Sequence, residues 1–169
     1  MSTTYPVAGL AGQFAVPGDP DYDRGRQAWN LALDQRPAAV IWPESAADVA
    51  AAVGHAAGRG LRIAPQGTGH GAAPLGPLDG TILLRTERMN GIRIDPHTRI
   101  ARAEAGVAWL DVVEAAARHG LAALAGSSPD TGVTGYTLWT EPAYRRLRQI
   151  KAAVDPRDLI RANHPVPPA

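Results

Sequence analysis

The stretch Leu61-Arg62-Ile63-Ala64-Pro65-Gln66-Gly67-Thr68-Gly69-His70-Gly71 decides how this chain is read. A short apolar run passes directly into a loop with alternate glycines and a single imidazole. Upstream, Ala38-Ala39-Val40-Ile41-Trp42 is another apolar run, stopped by Pro43, and reads as a buried strand. Between the two, Ser45 and Asp48 have capping-box spacing, Val49, Val53 and Ala56 or Ala57 fall on one face, and Gly58 and Gly60 close a helix. Strand, helix, strand and loop in that order predict a right-handed crossover and a parallel pair. The loop then leaves the carboxyl end of the second strand, where ligands of such sheets bind.

Glycine at 67, 69 and 71 frees the backbone to turn N–H groups inward, a geometry suited to an anion. The loop matches neither the phosphate-loop pattern nor the Gly-x-Gly-x-x-Gly that opens a helix, because Pro74 and Gly76 follow. The local pattern leaves two readings open: an anion cradle, or a wide connection whose glycines serve only turn geometry.

Downstream, residues 81–84 read as a buried strand. Residues 91–95 and 99–105, joined by Asp95-Pro96-His97-Thr98, read as an antiparallel hairpin. A second amphipathic helix is predicted over 107–119, with Leu110, Val113 and Ala117 in its apolar stripe beside Val112 and Ala116, ended by Gly120. Residues 121–124 make one more short strand, leading into a second loop, 125–136, dense in glycine and hydroxyls. Two such loops are suited to gripping one extended ligand from two sides; two unrelated turns are the alternative reading. Thr140 caps a last helix in which Tyr144, Leu147 and Ile150 form a narrow apolar face, Arg145, Arg146, Arg148 and Lys151 cover the rest, and Asp155-Pro156 is the stop. Residues 1–37 are rich in Gly, Pro and Asp and favour turns over packed elements, with Trp29, Leu31 and Leu33 tacking the arm to the body.

Composition narrows the function. The 169 residues suffice for one domain with an appendage, and a net charge of +1 implies no general attraction to nucleic acid. The chain has no cysteine, which excludes disulfides, thiolate ligands and cysteine nucleophiles. His55, His70, His97, His119 and His164 show no zinc-type helical pairing, so no metal site is expected. Ser127 and Ser128 lack the nucleophile-elbow pattern, which leaves hydrolase chemistry unsupported. The basic helix over 144–151 is balanced by Glu141, Asp155 and Asp158 and reads as a solvated face, not a nucleic-acid contact. No run is long enough for a membrane span, and the N-terminus lacks leader character; a cytoplasmic protein is the expectation.

The motifs Val40-Ile41-Trp42-Pro43 with Ser45-Ala46-Ala47-Asp48-Val49, Ile63-Ala64-Pro65-Gln66-Gly67-Thr68-Gly69-His70-Gly71, and Gly126-Ser127-Ser128-Pro129-Asp130-Thr131-Gly132-Val133-Thr134-Gly135-Tyr136-Thr137-Leu138 occur in this order. Together they resemble the PCMH-type FAD-binding domain of the vanillyl-alcohol oxidase type, in its berberine-bridge-enzyme-like branch. The C-terminal helix with Asp155-Pro156 and Leu159-Ile160-Arg161-Ala162-Asn163 resembles the segment that closes full-length members. The resemblance implies an α+β fold: a βαβ unit, antiparallel strands and a second helix, with a berberine-bridge-type terminal helix. It divides the chain into an arm (1–35), an incomplete FAD-binding domain (36–138) and a terminal segment (139–169).

The same resemblance implies FAD as cofactor, with Gln66, Gly67, Thr68, Gly69, His70 and Gly71 on the pyrophosphate side. Ser128, Asp130, Thr131, Gly132, Thr134 and Gly135 form the second loop, of which 131–135 face the isoalloxazine. His70 occupies the position where many members attach the flavin 8α carbon covalently. Members with a second link use a cysteine at the position of Ser128, a link that serine excludes. Full-length members oxidise alcohols, sugars or alkaloid-like small molecules by hydride transfer to FAD. Here Leu138 is followed at once by Trp139 and the closing helix, without the substrate domain and the segment that carries catalytic bases in relatives. The chain thus reads as an internally truncated member, and no catalytic residue is assigned. The rival reading is a non-catalytic remnant or binding module, which predicts self-association through exposed apolar surface.

Overall fold

The computed structural model describes residues 7–123, 125–136, 141–160 and 166–168. Its centre is a four-stranded sheet in the order β1-β2-β4-β3, formed by β1 (Gln13–Ala15), β2 (Ala39–Trp42), β3 (Arg62–Gln66) and β4 (Thr81–Arg85). The α+β expectation holds: β2, β3 and β4 are mutually parallel and β1 is antiparallel to β2. The two strands of the βαβ unit are not neighbours, however. β4 lies between them, pairing Ile82 with both Ala39 and Ile63. All four residues from Thr81 to Leu84 are buried, as a strand flanked on both edges and both faces must be.

The helix of the βαβ unit appears where the sequence favours it. Helix α2 (Ala46–Arg59) starts with the Ser45 hydroxyl accepting from the Asp48 N–H and ends at Gly60 with φ of 66°. Asp48 completes no reciprocal box. Its buried carboxylate instead accepts N–H bonds from Ala11 and Glu44, each at 2.8 Å, and these hold its pKa below the ordinary carboxylate range. Ala52 and Ala56 are the fully buried positions, while Val49 and Val53 pack at the margin of the cluster with Ile41, Ile63, Ile82 and Leu84. The opposite sheet face carries Val40, Trp42, Ala64 and Leu83, covered by Ala15 and Tyr22.

The N-terminal arm is more structured than its composition predicts. β1 adds to the sheet, and α1 (Tyr22–Gly25) packs beneath Trp42; a Cβ on Gly25 would stand 2.4 Å from the indole. Tyr22 donates to the Pro37 carbonyl at 2.5 Å. Trp29 and Leu31, expected to tack the arm down, are 60% and 76% exposed. The anchors are instead Ala15, Tyr22 and Ala28, small or amphipathic residues that fit against an already full sheet.

Strands β5 (Ile92–Asp95) and β6 (Ile100–Ala103) form the expected hairpin, with α3 (Trp109–Ala117) packed mainly on β5. The inward face of α3 is Val112 and Ala116, whereas Leu110, Val113 and Ala117 are exposed, because the narrow two-stranded sheet cannot cover the whole predicted stripe. Residues 121–123 are not a strand: the Leu121 N–H turns back to the Ala116 carbonyl at 3.1 Å after Gly120, at φ of 67°, closes the helix. Leu124 lies outside the described residues.

After the short α4 (Val133–Tyr136) comes α5 (Glu141–Val154); the predicted cap Thr140 and the junction 138/139 fall outside the described residues. Ile150, placed on the apolar face, is 42% exposed, whereas Lys151, assigned to the solvated side, has only 11% of its side chain exposed. Lys151 is drawn inward by Asp155, Asp158 and the Ile160 carbonyl. Asp155 in turn accepts the Leu159 and Ile160 N–H groups, and Ile160 pairs with Ile63 as a parallel bridge on the free edge of β3. No helix among the described residues is long and apolar enough to cross a membrane.

Candidate functional site

The parallel order of β2, β3 and β4 puts their carboxyl ends on one edge, and the first glycine loop leaves that edge at Gln66. Gln66 is 5% exposed, and its amide nitrogen donates to the Gln27 carbonyl at 3.4 Å, while its Oε1 has no partner among the described residues. Gly69, at φ of 82°, is required twice over: the backbone is left-handed, and a Cβ would stand 3.0 Å from both Gln66 Nε2 and the Trp29 backbone nitrogen.

The second loop reaches the first by an anchoring to α3 that sequence did not disclose. Trp109 and Leu110 donate N–H bonds to the Thr131 and Pro129 carbonyls, each at 3.0 Å, and Val133 donates to the Val107 carbonyl at 3.0 Å. Ala108 and Gly132 form an antiparallel bridge. The first four N–H groups of a helix lack intrahelical partners. The second loop supplies carbonyls to two residues at the start of α3, so the helix start and the loop fix one another.

The loops meet at Thr68. Its hydroxyl oxygen accepts the Gly132 N–H at 3.4 Å and lies 2.8 Å from His70 Nδ1. On the other side of the ring, His70 Nε2 is 3.7 Å from Asp130 Oδ2, buried and without a hydrogen-bond partner among the described residues. Asp130 Oδ1 accepts from the Ser128 hydroxyl at 2.6 Å. That hydroxyl is the main cause holding the Asp130 carboxyl below its ordinary range, with smaller contributions from His70 and the Trp29 side chain. The Trp29 indole stacks on the imidazole with ring centroids 4.6 Å apart and planes 22° from parallel.

Of the expected residues, the structure brings together Gln66, Thr68, Gly69, His70, Ser128, Asp130 and Gly132. Gly67 follows β3 directly, facing Thr86 and Ala105; Thr131 contributes its carbonyl to α3; Thr134 is exposed within α4, which also contains Gly135. Sequence reasoning missed Trp29 and Arg85 here. Arg85 Nη1 donates to the Gln27 carbonyl at 2.6 Å and to that of Gly25 at 3.4 Å, which holds the arm over the loop. Their only signal is that Arg85 sits beside Gln66 in the sheet register, which pairing alone reveals. Among the described residues no cluster of His, Asp and Glu is arranged to hold a metal ion.

A family model described as an FAD binding domain matches residues 37–155, well over half of the chain. The chain belongs to this FAD-binding family. Over 129 residues the FAD-binding chain is 36% identical to (R)-6-hydroxynicotine oxidase from Paenarthrobacter nicotinovorans, a match covering 76% of this chain and 28% of that protein. It is 33% identical over 123 residues to glucooligosaccharide oxidase from Sarocladium strictum, covering 69% and 24%. A BBE-like 1 variant from Physcomitrella patens superposes with a TM-score of 0.71 at 29% identity, covering 78% of this chain and 29% of that one. The chain thus spans less than a third of the length of these relatives.

FAD is the cofactor this family implies, and the loops fit it on their own chemistry. They present a buried polar atom without a partner among the described residues, Gln66 Oε1, beside hydroxyls and a glycine position with no room for a side chain. The hydroxyl and N–H donors of a flavin nucleotide would satisfy such an acceptor.

Proposed function

We propose that this chain holds FAD between residues 66–71 and 126–135, with His70 the residue to which the flavin 8α carbon is covalently joined. The observation that carries the reading is the Gly132 to Thr68 hydrogen bond, which joins the two motif-bearing loops and leaves His70 between them. Gln66, Gly67, Thr68, Gly69 and Gly71 serve the pyrophosphate side, and Ser128, Asp130, Thr131, Gly132, Thr134 and Gly135 the ring side. Bound FAD supplies the capacity to accept a hydride. The protein's part is to orient it, exclude water around it and hold a neutral imidazole nitrogen as nucleophile.

In this reading 36–138 is the cofactor-binding unit, 1–35 an arm whose residues 25–29 lie over its loop edge, and 139–169 a terminal segment that meets β3 through Leu159 and Ile160. The activity is that of an FAD-linked oxidoreductase acting on an alcohol, sugar or alkaloid-like small molecule, here as a truncated cytoplasmic form. Support comes from relatives named as oxidases of a hydroxynicotine and of an oligosaccharide, each far longer than this chain. The second reading, a binding module without turnover, is favoured by the exposed Ile100, Leu110 and Val113 around α3 and β6, a surface suited to self-association.

Reconstitution with FAD tests the proposal. We expect visible flavin absorbance that survives desalting, and flavin fluorescence on a denaturing gel that His70→Ala removes. Absence of both signals from the wild-type protein refutes FAD binding by this chain; absorbance without gel fluorescence refutes the covalent link.

A further inference from the structure

Trp29 lies upstream of the segment matched by the FAD-binding family model, yet its indole covers one face of the His70 ring. Its place is built by the sheet. Gln66 and Arg85, paired in register at the ends of β3 and β4, both donate to the Gln27 carbonyl, and Gly69 leaves the space through which the Trp29 backbone approaches. The indole stays 60% exposed, so its position is not explained by burial in the core.

Around the ring, each edge has a polar neighbour. The Thr68 oxygen accepts the Gly132 N–H, which leaves its own single proton free to donate to His70 Nδ1. Nε2 then carries the imidazole proton, facing the Asp130 carboxylate. Asp130 is itself held by the Ser128 hydroxyl.

We propose that Trp29 is a positioning residue of the flavin site: together with Asp130 it clips the His70 imidazole in one plane and one tautomer, with the lone pair on Nδ1. The inference rests on the reading of His70 given above for its consequence, but the clip itself is a property of the free protein. Stacking fixes the ring plane, and Thr68 and Asp130 fix which nitrogen is protonated. The nitrogen without a proton is the nucleophilic one, so the clip decides which atom of His70 is available; the N–C bond would replace a C–H bond of the 8α methyl, its proton passing to solvent and its electron pair to the flavin ring, with dissolved oxygen as the oxidant that takes the pair up.

The experiment uses the full chain labelled with nitrogen-15 histidine, with His70 assigned by its loss in His70→Ala. At a pH where the ring is neutral, long-range nitrogen–proton correlations of the FAD-free protein are expected to show His70 protonated at Nε2 and not at Nδ1. Trp29→Ala is expected to give a mixture of tautomers. It should also slow covalent FAD incorporation, followed by gel fluorescence over time, by roughly ten- to a hundredfold. Trp29→Phe keeps an aromatic face and should restore most of both. A wild-type tautomer together with a wild-type incorporation rate in Trp29→Ala overturns the proposal. So does an Nδ1-protonated ring in the wild-type protein.

Should Trp29→Ala fail to fold by circular dichroism, Asp130→Asn at the exposed second loop carries the test, with a tautomer mixture expected and an unchanged tautomer refuting the clip. If the wild-type protein takes up no covalent flavin, the attachment reading fails, and the correlations alone decide the clip.

Discussion

Removing the Asp155 carboxylate should release the end of the chain from the sheet. Asp155 is 2% exposed and serves three donors at once: the Lys151 ammonium, and the Leu159 and Ile160 N–H groups at 2.8 and 2.9 Å. Asp155→Ala strands a largely buried cation and two backbone donors. Loss of one partner of a buried pair costs about 3–5 kcal/mol; because Lys151 keeps Asp158 and the Ile160 carbonyl, the lower end, about 3 kcal/mol, applies here. Asp155→Asn retains an acceptor oxygen and should cost about 1–2 kcal/mol.

The reporter is the Ile63 amide, which donates to the Leu159 carbonyl at 2.8 Å. Its hydrogen exchange should accelerate by up to about a hundredfold in Asp155→Ala, the equivalent of about 3 kcal/mol. Amides in the interior of β2 and β4 should change far less. If Ile63 exchange is unaltered, Asp155 does not hold the terminal segment, and the reasoning is wrong.

The same pair gives a pH dependence. Burial pushes the Asp155 carboxyl up, but Lys151 and the Ile160 and Leu159 N–H groups outweigh it and hold the carboxyl below its ordinary range. Its contribution is therefore present above the ordinary carboxylate range and lost as pH falls through the depressed folded value. For Lys151 burial lowers the ammonium pKa, but Asp155 and Asp158 raise it further, so its contribution is present below the ordinary lysine value and lost as pH rises through the raised one. Ile63 protection should accordingly be flat through neutrality and fall at both extremes.

Gly106→Ala should destabilise by about 3 kcal/mol in urea titration, at the upper end for overpacking, because its Cβ would stand 2.0 Å from the Thr86 carbonyl oxygen, a backbone atom that cannot swing aside. Ser45→Ala should cost about 1 kcal/mol in the same assay by leaving the Asp48 N–H without its cap, whereas Ser45→Asp should be close to neutral.

How much of this was legible depends on how local the cause is. The βαβ unit, the hairpin and the second helix follow from apolar spacing and from Gly60 and Gly120, signals contained within each element. The insertion of β4 between β2 and β3 has no local signal, since a buried strand reads the same at any central position. Gln13-Phe14-Ala15 is too short to announce itself and becomes a strand only because Val40, Ile41 and Trp42 present an open edge. The two loops carried their chemistry in sequence, but their meeting depends on the pinning of Pro129 and Thr131 to the start of α3. Trp29 reaches His70 through a backbone carbonyl held by Arg85, a relation that no spacing encodes. Lys151 and Asp155, four apart across the end of a helix, did hold a legible clue; what hid it was the surrounding run of arginines.

The parallel bridge between Ile63 and Ile160 also bears on how the protein is made. The edge of β3 is met at Ile63 by residues encoded almost a hundred positions later, after every other strand described. During synthesis the βαβ unit leaves the ribosome with that edge open, and it stays open until Leu159 and Ile160 emerge. An unpaired parallel edge is a template for another strand, so that interval is when a nascent chain is most prone to pair with a neighbour instead of with its own later residues.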